Sequence, residues 1–275
     1  MPWPRRTHHP VVTDVSRPSG GSGGNLWPCD LEMFQTLRIP AELVAAAGIE
    51  RVTDQQAREG FGITGKGDMS GLVFPYFIPG NGNYRSTCRL RRDHPEIENG
   101  KPKNKYVSPF GDNRHLYFPP GAADSLEDQR TEIVFVESEK AAIAVLAWAR
   151  RRGRSFVPIA TGGCWGWRGR IGKTVDASGT RVDESGPLPD LHHVKGRNVY
   201  ILFDANIATN PNVKAACHQF MHRIYKLGAA RVVVLDLPSG SWNGPDDLIA
   251  SADDSAMEEV FTTRPQLIAG RNRNR

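Results

Sequence analysis

The sequence predicts an α/β fold: a four-stranded, Rossmann-like parallel sheet with flanking helices, preceded by a small α+β lobe. Three observations predict it. Ile133-Val-Phe-Val136 and Val199-Tyr-Ile-Leu-Phe203 are short, unbroken apolar runs, ending in Glu137 and Asp204 and followed by helical patterns. Strands buried on both faces of a parallel sheet read this way. Strand and helix then alternate from 131 to 250, as layered α/β folds require. The carboxyl ends of such strands open onto the crevice where these sheets bind ligands. Glu137 and Asp204 should therefore share one edge. Paired carboxylates there are a natural seat for Mg²⁺ and for chemistry on phosphates.

Residues 1–27 are rich in Pro, Gly, Ser and His, and Ser19-Gly-Gly-Ser-Gly-Gly-Asn25 has the composition of a flexible linker. They are expected to be a disordered tail. A basic α+β lobe is expected over 28–128. Leu31, Phe34, Leu37, Leu43 and Val44, broken by Pro40 and Gly48, suggest two short helices with Pro40 opening the second. Leu72-Val-Phe-Pro-Tyr-Phe77, Tyr84-Arg-Ser-Thr-Cys-Arg-Leu-Arg91, Lys105-Tyr-Val107 and His115-Leu-Tyr-Phe118 are strand-like, with turn signals such as Pro79-Gly80 between them.

The α/β domain is expected over 129–256. Strand 133–137 leads into a helix over 139–152, with Ile143, Leu146, Ala147 and Arg150 on one stripe. Phe156–Ala160 is a second strand and 198–204 a third. A helix opens at Pro211, carries Val213, Ala216, Phe220, Ile224 and Leu227, and stops at Gly228. Residues 231–237 form a fourth strand. Asp246 and Asp247 open a last short helix, where acidic residues suit the dipole. Residues 257–275 are expected to be a C-terminal tail.

A chain of 275 residues, 39% hydrophobic, suits one large domain or two modest ones. No apolar stretch approaches the length of a membrane span. Arg5, Arg6, His8 and His9 precede no apolar segment, which argues against a secretory signal. The four cysteines have no C-x-x-C spacing, which argues against a zinc ribbon and fits reduced thiols in a cytoplasm. The net charge of +5 leans toward a polyanionic partner. Residues 84–105 sharpen this, with seven basic side chains against three acidic. On an extended strand Arg85, Arg89 and Arg91 would lie on one face, because side chains alternate. With Lys105 they could track a phosphate backbone. The alternative is a solvated edge guarded by charge.

Glu137-Ser-Glu-Lys140, Phe203-Asp-Ala-Asn206 and Gly244-Pro-Asp-Asp-Leu248, in that order on β-α-β units, resemble a Toprim domain over roughly 130–250. Toprim domains occur in bacterial primases, topoisomerases and some nucleases. Thr161-Gly-Gly-Cys-Trp-Gly-Trp-Arg168 and the Asp-Asp-Leu ending are similar to an uncharacterised Toprim-like family in replication proteins of plasmids and other mobile elements. Phe74-Pro-Tyr76, the arginine-rich strand, Lys105-Tyr-Val-Ser-Pro109 and Leu116-Tyr-Phe118 resemble the basic subdomain that precedes Toprim in bacterial primases.

The resemblance implies that Glu137 is the catalytic acid/base or metal-ordering carboxylate. It also implies that Asp204, Asn206, Asp246 and Asp247 hold Mg²⁺ or Mn²⁺. The plainer reading of Glu137 is a strand-end acid capping the next helix, and of Asp246 and Asp247 acids at a helix start. Asn206 stands where the pattern usually has a second Asp; an amide oxygen can coordinate Mg²⁺ but adds no charge, so metal binding should be weak. Ser138 replaces the usual Gly, and Ala141 stands where primases often carry Asp.

Gly166–Thr174 misses a phosphate-binding P-loop by one residue of spacing. Trp165, Trp167, Arg168 and Arg170 could stack bases and neutralise phosphates. For Trp165, packing on the sheet is the favoured expectation. The implied protein binds single-stranded or forked DNA, with a helicase or other replication protein on a separate chain. Three activities fit the site: metal-dependent nucleotidyl transfer or phosphodiester cleavage as a primase relative; DNA binding or replisome docking without catalysis; and a Toprim-class nuclease like the overcoming-lysogenisation defence proteins, which would want an ATPase partner.

Overall fold

The computed structural model describes residues 25–81, 85–251, 253–263 and 265–270. Most of the expected N-terminal tail, Tyr84 and residues 271–275 lie outside the described residues.

The chain opens with three short helices, α1 (Pro28–Thr36), α2 (Ala41–Ala46) and α3 (Asp54–Phe61), with strand β1 (Glu50–Val52) before the last. The sequence reading has two helices here. The third is announced by Thr53 and Gln56, which cap each other's main-chain N–H groups, and by Gly62, which ends it at φ +64°. Next come strands β2 (Gly71–Tyr76) and β3 (Thr87–Arg92), then a small hairpin of β4 (Glu96–Glu98) and β5 (Lys101–Lys103). Strand β6 (Tyr106–Val107) completes an antiparallel sheet in the order β1-β2-β3-β6. Helix α4 (Ala122–Glu127) leads out of the lobe. The buried Arg197 guanidinium grips its end, donating to the carbonyls of Leu126 and Thr131 at 2.5 and 3.0 Å.

The second half begins with β7 (Glu132–Val136), α5 (Glu139–Arg151) and β8 (Phe156–Ala160). A long hairpin comes after them, β9 (Arg168–Val175) and β10 (Arg181–Pro187), which the sequence reading does not foresee. Its arms are mostly polar and solvated, so no apolar run announces them. After a 3-10 turn come β11 (Asn198–Ile201), α6 (Pro211–Lys226) and β12 (Arg231–Leu235). Helices α7 (Pro245–Ser251) and α8 (Asp254–Thr263) and strand β13 (Pro265–Gly270) end the described chain. The expected tail from 257 is thus corrected: α8 runs through that boundary, and β13 pairs antiparallel with β12. Apolar Met257 and Val260 bury α8 in the core, and this anchors the strand after it.

The main sheet has the order β13-β12-β11-β7-β8, with β7, β8, β11 and β12 parallel. Val134 and Val136 enter one apolar cluster, while Ile133 and Phe135 enter the other, as alternation demands. The first cluster also contains Phe34, Leu43, Leu72 and Phe74 from the N-terminal lobe together with Ile143 and Trp148 of α5. The two halves therefore share apolar core, each such buried side chain contributing roughly 1.5–3 kcal/mol. Connections leave β7 toward β8 on one side and return to β11 on the other. The topological switch point lies between β7 and β11, where open α/β sheets form their ligand crevice.

Candidate functional site

Glu137 comes just after β7 and Asp204 after β11, one on each side of the switch point. The Glu137 carboxylate accepts the main-chain N–H of Asp204 at 3.2 Å. Burial pushes the Glu137 carboxyl up, opposed by main-chain N–H donors of Asp204 and Cys164. Asp204 is pushed up to about 7, first by burial and then by the carboxylates of Glu137, Asp246 and Asp247.

The third segment of the site is the turn into α7. The Asn243 carbonyl accepts the Ala205 N–H at 2.7 Å, and its side chain donates to Asp204 Oδ2 at 3.2 Å. Asp247 fastens this turn, accepting the N–H groups of Asn243 and Gly244 at 3.0 and 3.2 Å. Gly244 leaves space that two acids share. A Cβ there would sit 2.7 Å from Asp246 Oδ1 and 2.9 Å from Asp204 Oδ1. Asp246 is buried, and burial raises its pKa while Lys140 lowers it. Lys140 Nζ lies 3.5 Å from Asp246 Oδ2.

Asn206 occupies an exposed 3-10 turn, its carbonyl accepting the N–H groups of Thr209 and Asn210. Among the described residues, no three His, Cys, Asp or Glu side chains gather as a ready-made ion cage. The convergence over Gly244 nevertheless fits Mg²⁺, which keeps waters and is commonly held by one or two carboxylates plus substrate phosphates. Ser138 caps α5 by accepting the Ala141 N–H at 3.2 Å, and Ala141 is buried in the apolar core. Both residues thus serve the helix.

Glu139 lies within the Glu137–Lys140 motif, yet the sequence assigns it no role. It is 1% exposed, accepting from the Tyr76 hydroxyl at 2.5 Å and from Arg89 Nη1 at 3.1 Å. Burial and then this carboxylate raise the Tyr76 pKa. Arg89 also lies 4.5 Å over the Tyr106 ring. The basic strand is thus divided. Arg89 is committed to Glu139. Arg91 and Lys105 are half-buried, and the Lys105 pKa is lowered by burial, then by Arg91 and Lys140. These cations therefore lie near Lys140 and the acid crevice. Arg85 precedes β3 and stacks 4.5 Å over the Phe61 ring, so the single face expected for Arg85, Arg89 and Arg91 holds only for the last two.

Arg168 and Arg170 start β9. Arg170 pairs with Asp183 at 3.3 Å and lines a cleft of about 220 Å³ with Arg89 and Arg114. Arg114 is absent from the residues that the sequence singles out. It donates to the carbonyls of Gly162 and Gly166 at 3.0 and 3.1 Å, bracing the loop after β8. Only the long-range contact betrays it, since isolated surface arginines look alike in sequence. The expectation for Trp165 is overturned. It is 38% exposed, whereas Trp167 is 4% exposed and stacks on Phe220 at 5.4 Å. Gly166–Thr174 forms a turn and a hairpin arm, not a P-loop.

A family described as "Domain of unknown function (DUF3854)" matches residues 124–256. No curated protein matches the chain. Among solved structures, the zinc-binding and RNA polymerase domains of the Aquifex aeolicus primase are similar at TM-score 0.54 and 13% identity. That match covers 88% of this chain, which spans only 57% of the Aquifex chain. The RNA polymerase domain of the Mycobacterium tuberculosis primase, in complex with a double-stranded DNA oligomer with a 6-nucleotide overhang, is similar at TM-score 0.50 and 15% identity, covering 86% of this chain and 73% of that one. The chain has the fold of bacterial primase catalytic domains. Among the described residues no helix is long and apolar enough to cross a membrane.

Proposed function

We infer that this chain is a primase-related replication protein whose acid crevice acts on a nucleic-acid phosphate with a divalent metal. One observation carries the reading: Asp204 and Asp246 converge over Gly244 at the switch point of the sheet. Crowded carboxylates, one of them pushed up to about 7, call for a cation. Asp204 and Asp246 would hold Mg²⁺ or Mn²⁺, with Asp247 and Asn206 on the flanking turns. The ion would neutralise charge on a phosphate oxygen. Glu137, with its raised pKa, is suited to hold or release a proton beside that phosphate. Arg91 and Lys105 would carry the strand toward the crevice, and Arg168 and Arg170 would meet it from the hairpin side.

Incubation with labelled single-stranded DNA, nucleoside triphosphates and Mn²⁺ tests the reading. Extension of the label is expected. Cleavage would instead assign a Toprim-class nuclease. Retention without chemistry would favour a DNA-binding or docking module, in which Lys140 supplies the positive charge beside Asp246. A helicase or other replication protein on a separate chain completes the proposal, and a plasmid or other mobile element is the proposed genetic setting.

A further inference from the structure

The loop after β8 is built more rigidly than a connection requires. Gly162 and Gly163 adopt φ +72° and +105°, where side chains are strained. Thr161 Oγ1 donates to the carbonyls of Val136 and Gly163. The Gly163 N–H donates to the Glu137 carbonyl at 2.8 Å, and the Gly166 N–H to the Gly163 carbonyl at 2.8 Å. A Cβ at Gly166 would lie 1.7 Å from the Thr161 carbonyl oxygen, so only glycine closes this turn. The main chain of Cys164 also meets the Glu137 carboxylate. The product of these constraints is one large ring left more than a third exposed. Trp165 is 38% exposed, backed by Trp167 at 6.3 Å between centroids and 29° between planes. Arg168 is exposed, its guanidinium 5.7 Å from the Trp167 ring.

An exposed indole costs free energy in water, and here it is pinned two residues beyond the contact between Gly163 and Glu137. We propose that Trp165 is a stacking platform for one nucleobase, with Arg168 taking the adjoining phosphate, so that a single strand is anchored at the rim of the acid crevice. The π-face of any base suits such a ring, which gives affinity without sequence preference. The planar Arg168 guanidinium, at the ring of Trp167 that backs Trp165, suits the phosphodiester. This rests on reading the crevice as a nucleic-acid site, and it goes beyond that reading by naming the residue that holds the base.

The test uses the full chain and fluorescein-labelled oligothymidylate, with Trp165→Ala, Trp165→Leu and Trp165→Phe compared at equal melting temperature. Trp165→Ala and Trp165→Leu should weaken binding about five- to tenfold, as loss of one base stack does. Trp165→Phe should keep most of the affinity. A strand of the same length with abasic sugars should bind the parent and Trp165→Ala alike. Equal affinity of Trp165→Ala and parent for oligothymidylate overturns the platform. So does a full-strength Trp165→Leu, or an equal loss on the abasic strand. If oligothymidylate is unaffected but binding of a nucleoside triphosphate falls in Trp165→Ala and survives in Trp165→Phe, the platform for the strand is overturned and the stacked base belongs to the free nucleotide. A parent that binds neither strand nor nucleotide overturns the functional reading and the platform together. Loss of strand binding only on charge reversal at Arg91 and Lys105 leaves the functional reading standing without the platform.

Discussion

The carboxylate of Glu137 holds the main-chain N–H of Asp204 at 3.2 Å, bridging β7 and β11 where the sheet changes direction. One acid of the crevice thereby sets the position of the other. It also adds negative charge to a neighbour already pushed up by burial.

This crowding has a pH signature. Asp204 is pushed up to about 7 in the folded chain, from an ordinary 3.8. Between those values the folded chain binds a proton that the unfolded chain has lost. The stabilisation is complete below the ordinary value and is lost as pH rises through about 7. Asp204→Asn should therefore match the parent near pH 4 and exceed it near pH 8, by about 1–3 kcal/mol. Urea denaturation at both pH values measures this. Equal or lower stability of the variant near pH 8 would refute the crowding.

The metal prediction comes from charge count. Mg²⁺ should bind weakly, on the order of 10⁻³ M, and Mn²⁺ more tightly at the same oxygens. Asn206→Asp should tighten binding by adding a carboxylate on the turn just after Asp204, and Asp204→Ala should abolish it. Calorimetry on the three proteins decides; undiminished binding by Asp204→Ala would make Asp204 structural.

For the basic lobe, Arg91→Glu and Lys105→Glu should weaken binding to single-stranded DNA across sequences and flatten its salt dependence. Arg85→Glu should have a much smaller effect, because that side chain is committed to the Phe61 ring. Fluorescence anisotropy at several salt concentrations separates them. Equal losses at all three positions would point to bulk charge.

The contact among Glu139, Arg89 and Tyr76 is predicted to be structural. Arg89→Ala removes the ion-pair partner of a 1% exposed carboxylate, leaving the Tyr76 hydroxyl as its hydrogen-bond donor, and should cost about 3–5 kcal/mol. Adding Glu139→Gln should recover much of that loss, since it removes the stranded charge. A double-mutant cycle in urea reads the coupling directly. Additive losses would show that the pair contributes nothing as a pair.

The parallel sheet was legible because its strands are buried on both faces and leave unbroken apolar runs. Glu137 and Asp204 were legible because strand ends in such sheets face the crevice. Helix α6 was delimited at both ends by Pro211 and Gly228. The hairpin of β9 and β10 was hidden because its arms are solvated and carry no period. The division of the basic strand was hidden too. Alternation places Arg89 and Arg91 on one face, but only the fold brings Glu139, fifty residues later, against Arg89. Trp165 and Trp167 have the same composition and nearly the same position in sequence. Which of them faces water depends on Phe220, a residue of α6.

The tripeptide Glu137-Ser138-Glu139 faces two ways, its first carboxylate toward Asp204 and its last toward Tyr76 and Arg89. Spacing here is therefore part of the code. A residue lost or gained between the two acids would pull at least one of them from its partners. A change of length within this segment should therefore be tolerated poorly. Insertions and deletions should collect instead at the tips of the two hairpins, β4–β5 and β9–β10, whose turns are exposed to solvent.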